Sequence, residues 1–320
     1  MTRLKKIDLS INVGGLQLQN PVMPASGTFA ERLERVIDFN RLGAFVTITI
    51  TRELRTGNPL PRVVERTNSL INAIGIPSKG LRHFVEETMP IYSRYETPLV
   101  VSISAPTVEG FASLAKELTI PGIGAIEANI SCPNIEEDGK AFAMHAGSTG
   151  KVTNEIRSAT NLPLWVKLTP NTGDISEIAR AAESSGADAI VVANTILSMA
   201  IDVKTFKPCL GNIMGGLSGP AIKPIILRQV FQCFRAVSIP IIGCGGISTA
   251  DDAVEYMLAG ASAVQVGTAT FLQPAAMTTI IDDVEVFCLQ REVTTMHELI
   301  GRVVIEESDG PDVSWINPAA

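Results

Sequence analysis

A (β/α)8 TIM barrel of the α/β class, with short β insertions at its active-site face, is the fold this sequence predicts. Three observations lead there. Eight short runs rich in β-branched residues recur along the chain, the segments between them carry helical spacing, and the hydrophobic fraction is 46% with only 5% aromatic. That composition leaves Ile, Val, Leu and Ala to build the core, as parallel strands buried on both faces require. Eight is also the strand number that closes a barrel.

In chain order the strands are read at residues 21–26, 43–51, 98–104, 125–131, 163–169, 189–195, 240–246 and 263–269. Helices fill the gaps by their own signals. Residues 176–185 place Ile178, Ala181 and Ala182 at helical spacing and stop at Gly186. Thr249-Ala250-Asp251-Asp252 opens a helix carrying Ala253, Tyr256, Met257 and Ala259 up to Gly260, and Pro220 begins a long one through Ile225, Ile226, Val230 and Phe234. Residues 55–65 and 200–214, with Asn58-Pro59, Pro61, Lys207-Pro208 and Gly211-Asn212, break the alternation as loops or short hairpins. Both follow strands, so they are expected to wall the barrel mouth. Without a Ser/Pro linker, acidic tract or low-complexity stretch, residues 1–320 read as one domain.

Charge and cysteine usage narrow the function. A formal charge of −7 argues against a nucleic-acid surface, and the basic cluster Arg3, Lys5, Lys6 is too short to reverse it. Cys132, Cys209, Cys233, Cys244 and Cys288 form no C-x-x-C pair, and with only His83, His145 and His297 no zinc site or disulfide framework is visible. Gly14, Gly15, Gln17, Gln19 and Asn20 interrupt any leader-like apolar region near the start. The most apolar internal run, 189–201, is broken by Asn194 and is too short to span a membrane. A reducing cytoplasm is the expected compartment.

The chemistry gathers at the predicted strand ends. Ser26, Thr49, Thr51, Ser102, Ser104, Asn129, Cys132, Lys167, Thr169, Asn194 and Thr195 finish the first six strands, where a purely stabilising core would have Val or Ile. Such convergence fits a polar small-molecule pocket. Within Asn129-Ile130-Ser131-Cys132-Pro133-Asn134 a thiol lies between two amides just past a strand, placed to move a proton on a bound polar ring. The alternative role is a small apolar core cysteine. Lys167, inside Leu164-Trp165-Val166-Lys167-Leu168, must find a partner because an unpaired buried ammonium is costly. A strand neighbour or the electron-rich edge of a cofactor would serve. Buried Asn194 likewise needs several hydrogen-bond partners.

The last two strands end in Gly243-Cys244-Gly245-Gly246 and Gly267-Thr268, with Gly215-Gly216-Leu217-Ser218-Gly219 ahead of the preceding helix. Tight turns explain glycine in general. Two clusters after strands seven and eight also suit a phosphate grip. Phosphate grip, buried cation, amides and thiol together suggest a flavin mononucleotide enzyme acting on a small heterocycle.

From about Ile11 to about Ile281 the chain resembles the dihydroorotate dehydrogenases of class 1B. The resemblance is carried in order by residues 20–29, by Asn72-Ala73-Ile74-Gly75, by 129–134, by Val166-Lys167-Leu168-Thr169-Pro170-Asn171, by 215–224 and by 259–268. It implies an FMN-bearing barrel that oxidises dihydroorotate to orotate in pyrimidine biosynthesis. Cys132 would be the general base at C5 while hydride leaves C6 for flavin N5. Asn72, Ala73, Ile74, Gly75, Ile76, Asn129, Asn134, Asn194 and Thr195 would bind substrate. Ser26, Thr49, Ser102, Asn129, Lys167, Ala193, Gly219, Gly245, Gly246, Gly267 and Thr268 would hold FMN, with Lys167 favouring the reduced anionic ring. The resemblance also implies a homodimeric core and NAD as final acceptor through a separate electron-transfer subunit carrying FAD and an iron–sulfur centre. This chain shows neither a cysteine cluster nor a Rossmann fingerprint of its own.

Three departures stand out. Ile48, in Thr47-Ile48-Thr49-Ile50, occupies the place of a family Lys; Ser102 replaces an Asn; and Ala30-Glu31-Arg32-Leu33 lacks the family's Gly-Phe-Gly run. Three readings therefore stand: dihydroorotate oxidation, flavin chemistry on another dihydropyrimidine or related ring, and a non-catalytic barrel holding FMN or a pyrimidine.

Overall fold

The computed structural model describes residues 7–131 and 141–305. Eight parallel strands form its central sheet: β1 (Val22–Pro24), β2 (Phe45–Val46), β3 (Leu99–Ile103), β4 (Ala125–Asn129), β5 (Leu164–Lys167), β6 (Ala189–Val192), β7 (Ile241–Cys244) and β8 (Ala261–Val266). Each pairs with the next from β2 onward, and β8 returns to pair with β1. At the remaining β1–β2 junction Gly43 N donates to Val22 O at 2.9 Å. A Cβ on Gly43 would lie 2.1 Å from Asn20 O, so only glycine lets the chains approach closely enough to close the barrel there.

Around the strands run α1 (Val108–Glu117), α2 (Ala146–Ala159), α3 (Ile175–Ser184), α4 (Lys223–Ala236), α5 (Ala250–Leu258) and α6 (Ala276–Gln290), with a further helical segment over residues 81–92 between β2 and β3. Their starts carry the expected caps. Thr107 and Asp174 accept from backbone amides at the heads of α1 and α3, and Thr249 with Asp252 forms a capping box on α5. The core is aliphatic, with Phe29, Phe39, Phe45 and Tyr92 clustered at β1 and β2.

Strand two differs from the sequence reading. The ladder covers Phe45–Val46 rather than 43–51, although Ile50 still bridges Ile103. Ser102 N donates to the Thr47 hydroxyl at 3.1 Å, so a side chain takes the acceptor's place and interrupts the ladder.

An N-terminal hairpin, Ile11–Val13 with Leu16–Leu18, turns through Gly14 and Gly15. A Cβ on Gly14 would meet Asp188 O at 2.6 Å, and one on Gly124 would meet Leu16 at 3.0 Å. The hairpin therefore lies against the starts of β4 and β6 and covers the barrel end opposite the mouth. The sequence reading did not anticipate it, although Ile11, Val13, Leu16 and Leu18 alternate around a Gly-Gly turn.

The expected excursions 55–65 and 200–214 are joined mainly by the segments that flank them. Ile196–Met199, Met214–Ser218, Ser69–Asn72 and Val63–Arg66 form a four-stranded antiparallel sheet in that order, and Ile201–Asp202 pairs with Lys207–Pro208 in a hairpin. Ile71, Ala73, Ala200 and Leu210 give this sheet a small core of its own. Its stems rise from the segments after β2 and β6, so it stands over the strand ends.

Candidate active site

Two inward-facing networks meet where β4 and β5 end. The first is an amide–hydroxyl chain. Asn129 Nδ2 donates to Thr49 Oγ1 at 3.2 Å, and the Thr49 and Ser102 hydroxyls lie 3.0 Å apart. Ser131 Oγ donates to Asn129 Oδ1 at 2.6 Å, and Asn194 Nδ2 donates to Ser131 and, at 3.5 Å, to Asn129 Oδ1. Asn194 Oδ1 accepts from Thr195 N at 2.8 Å, so the amide has the several partners a half-buried Asn requires. Ser102 is fully buried. Unlike the longer Asn of the family pattern, its hydroxyl serves Thr49.

The chain continues into the insertion sheet. A Cβ on Gly216 would overlap the Thr195 side chain, and Asn72 Nδ2 donates to Gly216 O at 3.3 Å, so Asn72 and Thr195 flank one glycine. Residues 73–76 follow Asn72 and are held from outside: Asn58 donates to Ala73 O at 3.2 Å and to Ile74 O at 3.0 Å. Gly75 and Ile76 have φ of 81° and 49°. Left-handed backbone costs an Ile roughly 1–2 kcal/mol, which the flanking contacts must offset. Asn171, which the sequence reading left without a role, donates to Thr169 Oγ1 and Thr195 O and accepts from Leu197 N, tying β5 to the base of this sheet.

The second network surrounds Lys167, which is 3% exposed. Its Nζ donates to Gln265 Oε1 at 2.9 Å and Ser26 Oγ at 3.2 Å and lies 4.0 Å from Glu127 Oε1. Gln265 Nε2 donates to Glu127 Oε2 at 2.6 Å. A strand-neighbour partner for the lysine is thus present. Glu127 and Gln265 were missed in the sequence, yet each is a polar residue inside an apolar strand run, Ala125-Ile126-Glu127-Ala128 and Ala263-Val264-Gln265-Val266. Cys244 at the end of β7 is buried beside them; burial pushes its thiol up, with the Lys167 ammonium pulling partly the other way. Ala193 is buried and its N donates to Cys244 O at 3.0 Å.

The glycine loops converge after β7 and β8. Thr268 Oγ1 donates to Ser218 Oγ at 2.8 Å, just before Gly219. Gly219 and Gly246 have φ of 96° and 72°, and a Cβ on Gly246 would lie 2.9 Å from Gly219 O. Gly267 is roomier, its nearest neighbour being Ala25 Cβ at 3.4 Å. Tyr256 from α5 donates to Gly245 O at 2.6 Å and fixes that loop from beneath. Lys223, at the start of α4, pairs with Asp252 at 2.6 Å and Glu255 at 2.8 Å. Burial alone would lower its pKa; the two carboxylates outweigh that and hold it above the ordinary value. Its charge is therefore engaged in joining α4 to α5. Cys132 and Asn134 lie outside the described residues.

Fold and site define a β/α barrel whose polar side chains gather at the carboxyl ends of its strands, where enzymes of this fold work. The chain belongs to the dihydroorotate dehydrogenase family, whose profile matches residues 8–287. It is 46% identical over 299 residues to a protein of Desulforamulus reducens, covering 92% of this chain and 98% of that one. To a protein of Thermoanaerobacter pseudethanolicus it is 43% identical over 302 residues, covering 94% and 100%. Both are named dihydroorotate dehydrogenase B (NAD(+)), catalytic subunit. The chain is accordingly an oxidoreductase of a flavin-dependent family, and these relatives are named catalytic subunits.

Proposed function

We propose that this chain oxidises dihydroorotate to orotate in pyrimidine biosynthesis, with FMN bound across the strand ends. The observation that carries the reading is Lys167: a buried ammonium held on the pocket side of β5, one strand from the amides of Asn129 and Asn194. The residues fit an FMN at both of its ends. Near the phosphate, Gly246 admits no Cβ without meeting Gly219 O, Gly219 holds a φ of 96° that side chains rarely adopt, and the paired hydroxyls of Ser218 and Thr268 offer neutral donors ahead of α4. Near the ring, Ser26, Thr49, Ser102, Asn129, Lys167 and Ala193 supply polar edges and a floor.

Bound FMN supplies the hydride acceptor. The protein's residues do the rest. Asn72, Asn129, Asn134, Asn194 and Thr195, with the backbone of residues 73–76, orient the pyrimidine so that its C5 proton faces Cys132. Cys132 takes that proton as hydride leaves C6, and the C5=C6 double bond of orotate forms. Lys167 would hold its ammonium toward the bound cofactor, where positive charge favours the reduced form. The four-stranded sheet over the mouth excludes water.

The same reading makes the chain the cytoplasmic, homodimeric core of an enzyme that passes electrons to NAD through a separate subunit carrying FAD and an iron–sulfur centre. Free thiols at Cys209, Cys233, Cys244 and Cys288 are consistent with a reducing compartment. A second reading, with another dihydropyrimidine or related ring as substrate, is favoured by Ile48, which is 39% exposed where the family pattern has Lys.

The test is anaerobic mixing of purified protein with dihydroorotate while flavin absorbance is followed. Bleaching is the expected result, with one FMN per chain released by heat. Colourless protein that takes up no added FMN overturns the flavin reading, and FMN that only other dihydropyrimidines reduce selects the second reading.

A further inference from the structure

Glu127 has no part in the chemistry described above, yet it is the most deeply placed charge beside the pocket. It sits on β4 two residues before Asn129, so both side chains face the barrel interior, and it is 0% exposed. A carboxylate that deep is costly unless paired and hydrogen-bonded. Its Oε2 accepts from Gln265, whose carbonyl accepts from Lys167; its Oε1 accepts no hydrogen bond and faces the Lys167 ammonium at 4.0 Å. Residues of β4, β5 and β8 thus close a triangle across the barrel.

The chemistry of the triangle is specific. One amide links both charges, its oxygen turned to the ammonium and its NH₂ to one carboxylate oxygen, so the pair fixes which way Gln265 points. Cys244 stands nearby as a neutral thiol. Glu127 is therefore the anion that balances Lys167. Gln265 and Ser26 give the lysine neutral hydrogen-bond partners, and Glu127 gives it an opposite charge. A buried anion behind it adds stability poorly, but it does control how much positive charge the pocket feels.

We propose that Glu127 is a positioning residue for the flavin: through Gln265 and Lys167 it offsets part of the ammonium's charge, and so sets how strongly the pocket prefers reduced over oxidised FMN. This rests on the FMN reading above. With the carboxylate neutralised, less of the ammonium's charge is offset at the ring, and the reduced form gains relative to the oxidised one.

The experiment compares FMN-loaded wild type, Glu127→Gln and Glu127→Asp by anaerobic reduction in equilibrium with a dye of known potential. Glu127→Gln is expected to raise the preference for reduced over oxidised FMN about tenfold, an upward shift of about 30 mV for a two-electron couple. Glu127→Asp, which keeps the charge, stays near wild type. In a Lys167→Gln background, Glu127→Gln brings no further shift, because the effect passes through the ammonium. An unchanged or lowered potential in Glu127→Gln, or an equal shift in the Lys167→Gln background, overturns the proposal.

Should Glu127→Gln fail to fold, the double variant Glu127→Gln/Lys167→Gln, which removes both charges, takes its place in thermal denaturation. A folded double variant supports the pairing. A double variant that also fails to fold makes Glu127 a packing residue and ends the proposal. Colourless wild type would instead bring down the FMN reading, before any variant is measured.

Discussion

Replacing Ile48 with Lys tests the main departure of this chain from its family. Ile48 is 39% exposed between buried Thr47 and Thr49, whose hydroxyls engage Ser102, so position 48 borders the amide–hydroxyl chain without being part of it. A hydrogen bond from an added ammonium to a charged ring or carboxylate is worth about 1.5–3 kcal/mol, or roughly ten- to a hundredfold in rate at about 1.4 kcal/mol per decade. The opposing cost is small. Full burial of such an aliphatic side chain is worth about 1.5–3 kcal/mol, over a third of Ile48 is already exposed, and the methylene stem of Lys covers much of the remainder. Repulsion from Lys167 is muted because Glu127 balances that charge. The expected outcome is anaerobic flavin reduction by dihydroorotate that is at least ten times faster in Ile48→Lys, read by stopped-flow absorbance (about 1.4 kcal/mol). Equal rates in the two proteins would refute the reasoning and assign the substrate's charge to another group.

Three further outcomes are expected. Cys132→Ala abolishes flavin reduction by substrate while leaving FMN bound, and Cys132→Ser recovers activity only at higher pH, since a hydroxyl ionises far less readily than a thiol of ordinary pKa about 8.5; wild-type single-turnover rates in Cys132→Ala would remove this residue from the mechanism. Gly246→Ala, with φ of 72° and a Cβ 2.9 Å from Gly219 O, lowers stability by roughly 1–2 kcal/mol and loosens FMN, whereas Gly267→Ala, with 3.4 Å of room, keeps its melting temperature; indistinguishable melting curves would contradict the contrast. At Asp252 burial pushes the carboxyl up, but Lys223 and the amides of Ser248 and Thr249 outweigh it and hold it below its ordinary value. A depressed folded pKa gives stability that is present above the unfolded value of about 3.9 and lost as pH falls through the folded one, so Asp252→Asn should flatten the melting-temperature profile below about pH 4. An unchanged acid limb in that variant would show that the pairing contributes nothing there.

The barrel was legible because strands buried on both faces leave unbroken apolar runs: the expected 98–104 and 240–246 contain Leu99–Ile103 and Ile241–Cys244. Strand two differs for the opposite reason: alternating Thr47, Thr49 and Thr51 look like strand, but the Thr47 hydroxyl takes the Ser102 amide while those of Thr49 and Thr51 bond elsewhere. Strand-end logic singles out Thr49, Ser102, Asn129 and Asn194, and the structure joins them in one hydrogen-bonded chain. It could not foresee Glu127 and Gln265 as partners, because their bond joins residues 138 apart and no local pattern encodes it. The Gly14-Gly15 hairpin is written locally, in four apolar residues alternating around a Gly-Gly turn.

The wall above the pocket is written in two distant pieces of the chain. Asn72 and Gly216 meet in its central pairing across 144 residues, and neither the 63–72 hairpin nor the 196–218 hairpin can complete the wall alone. During synthesis the first hairpin must wait for most of the barrel before its partner exists. In evolution the two are bound as well: a shift of register in one reverses which side chains face the substrate unless the other shifts with it. New substrate preference in this architecture is thus most accessible at the wall's outer strands, Val63–Arg66 and Ile196–Met199, where a change answers to one neighbour instead of two.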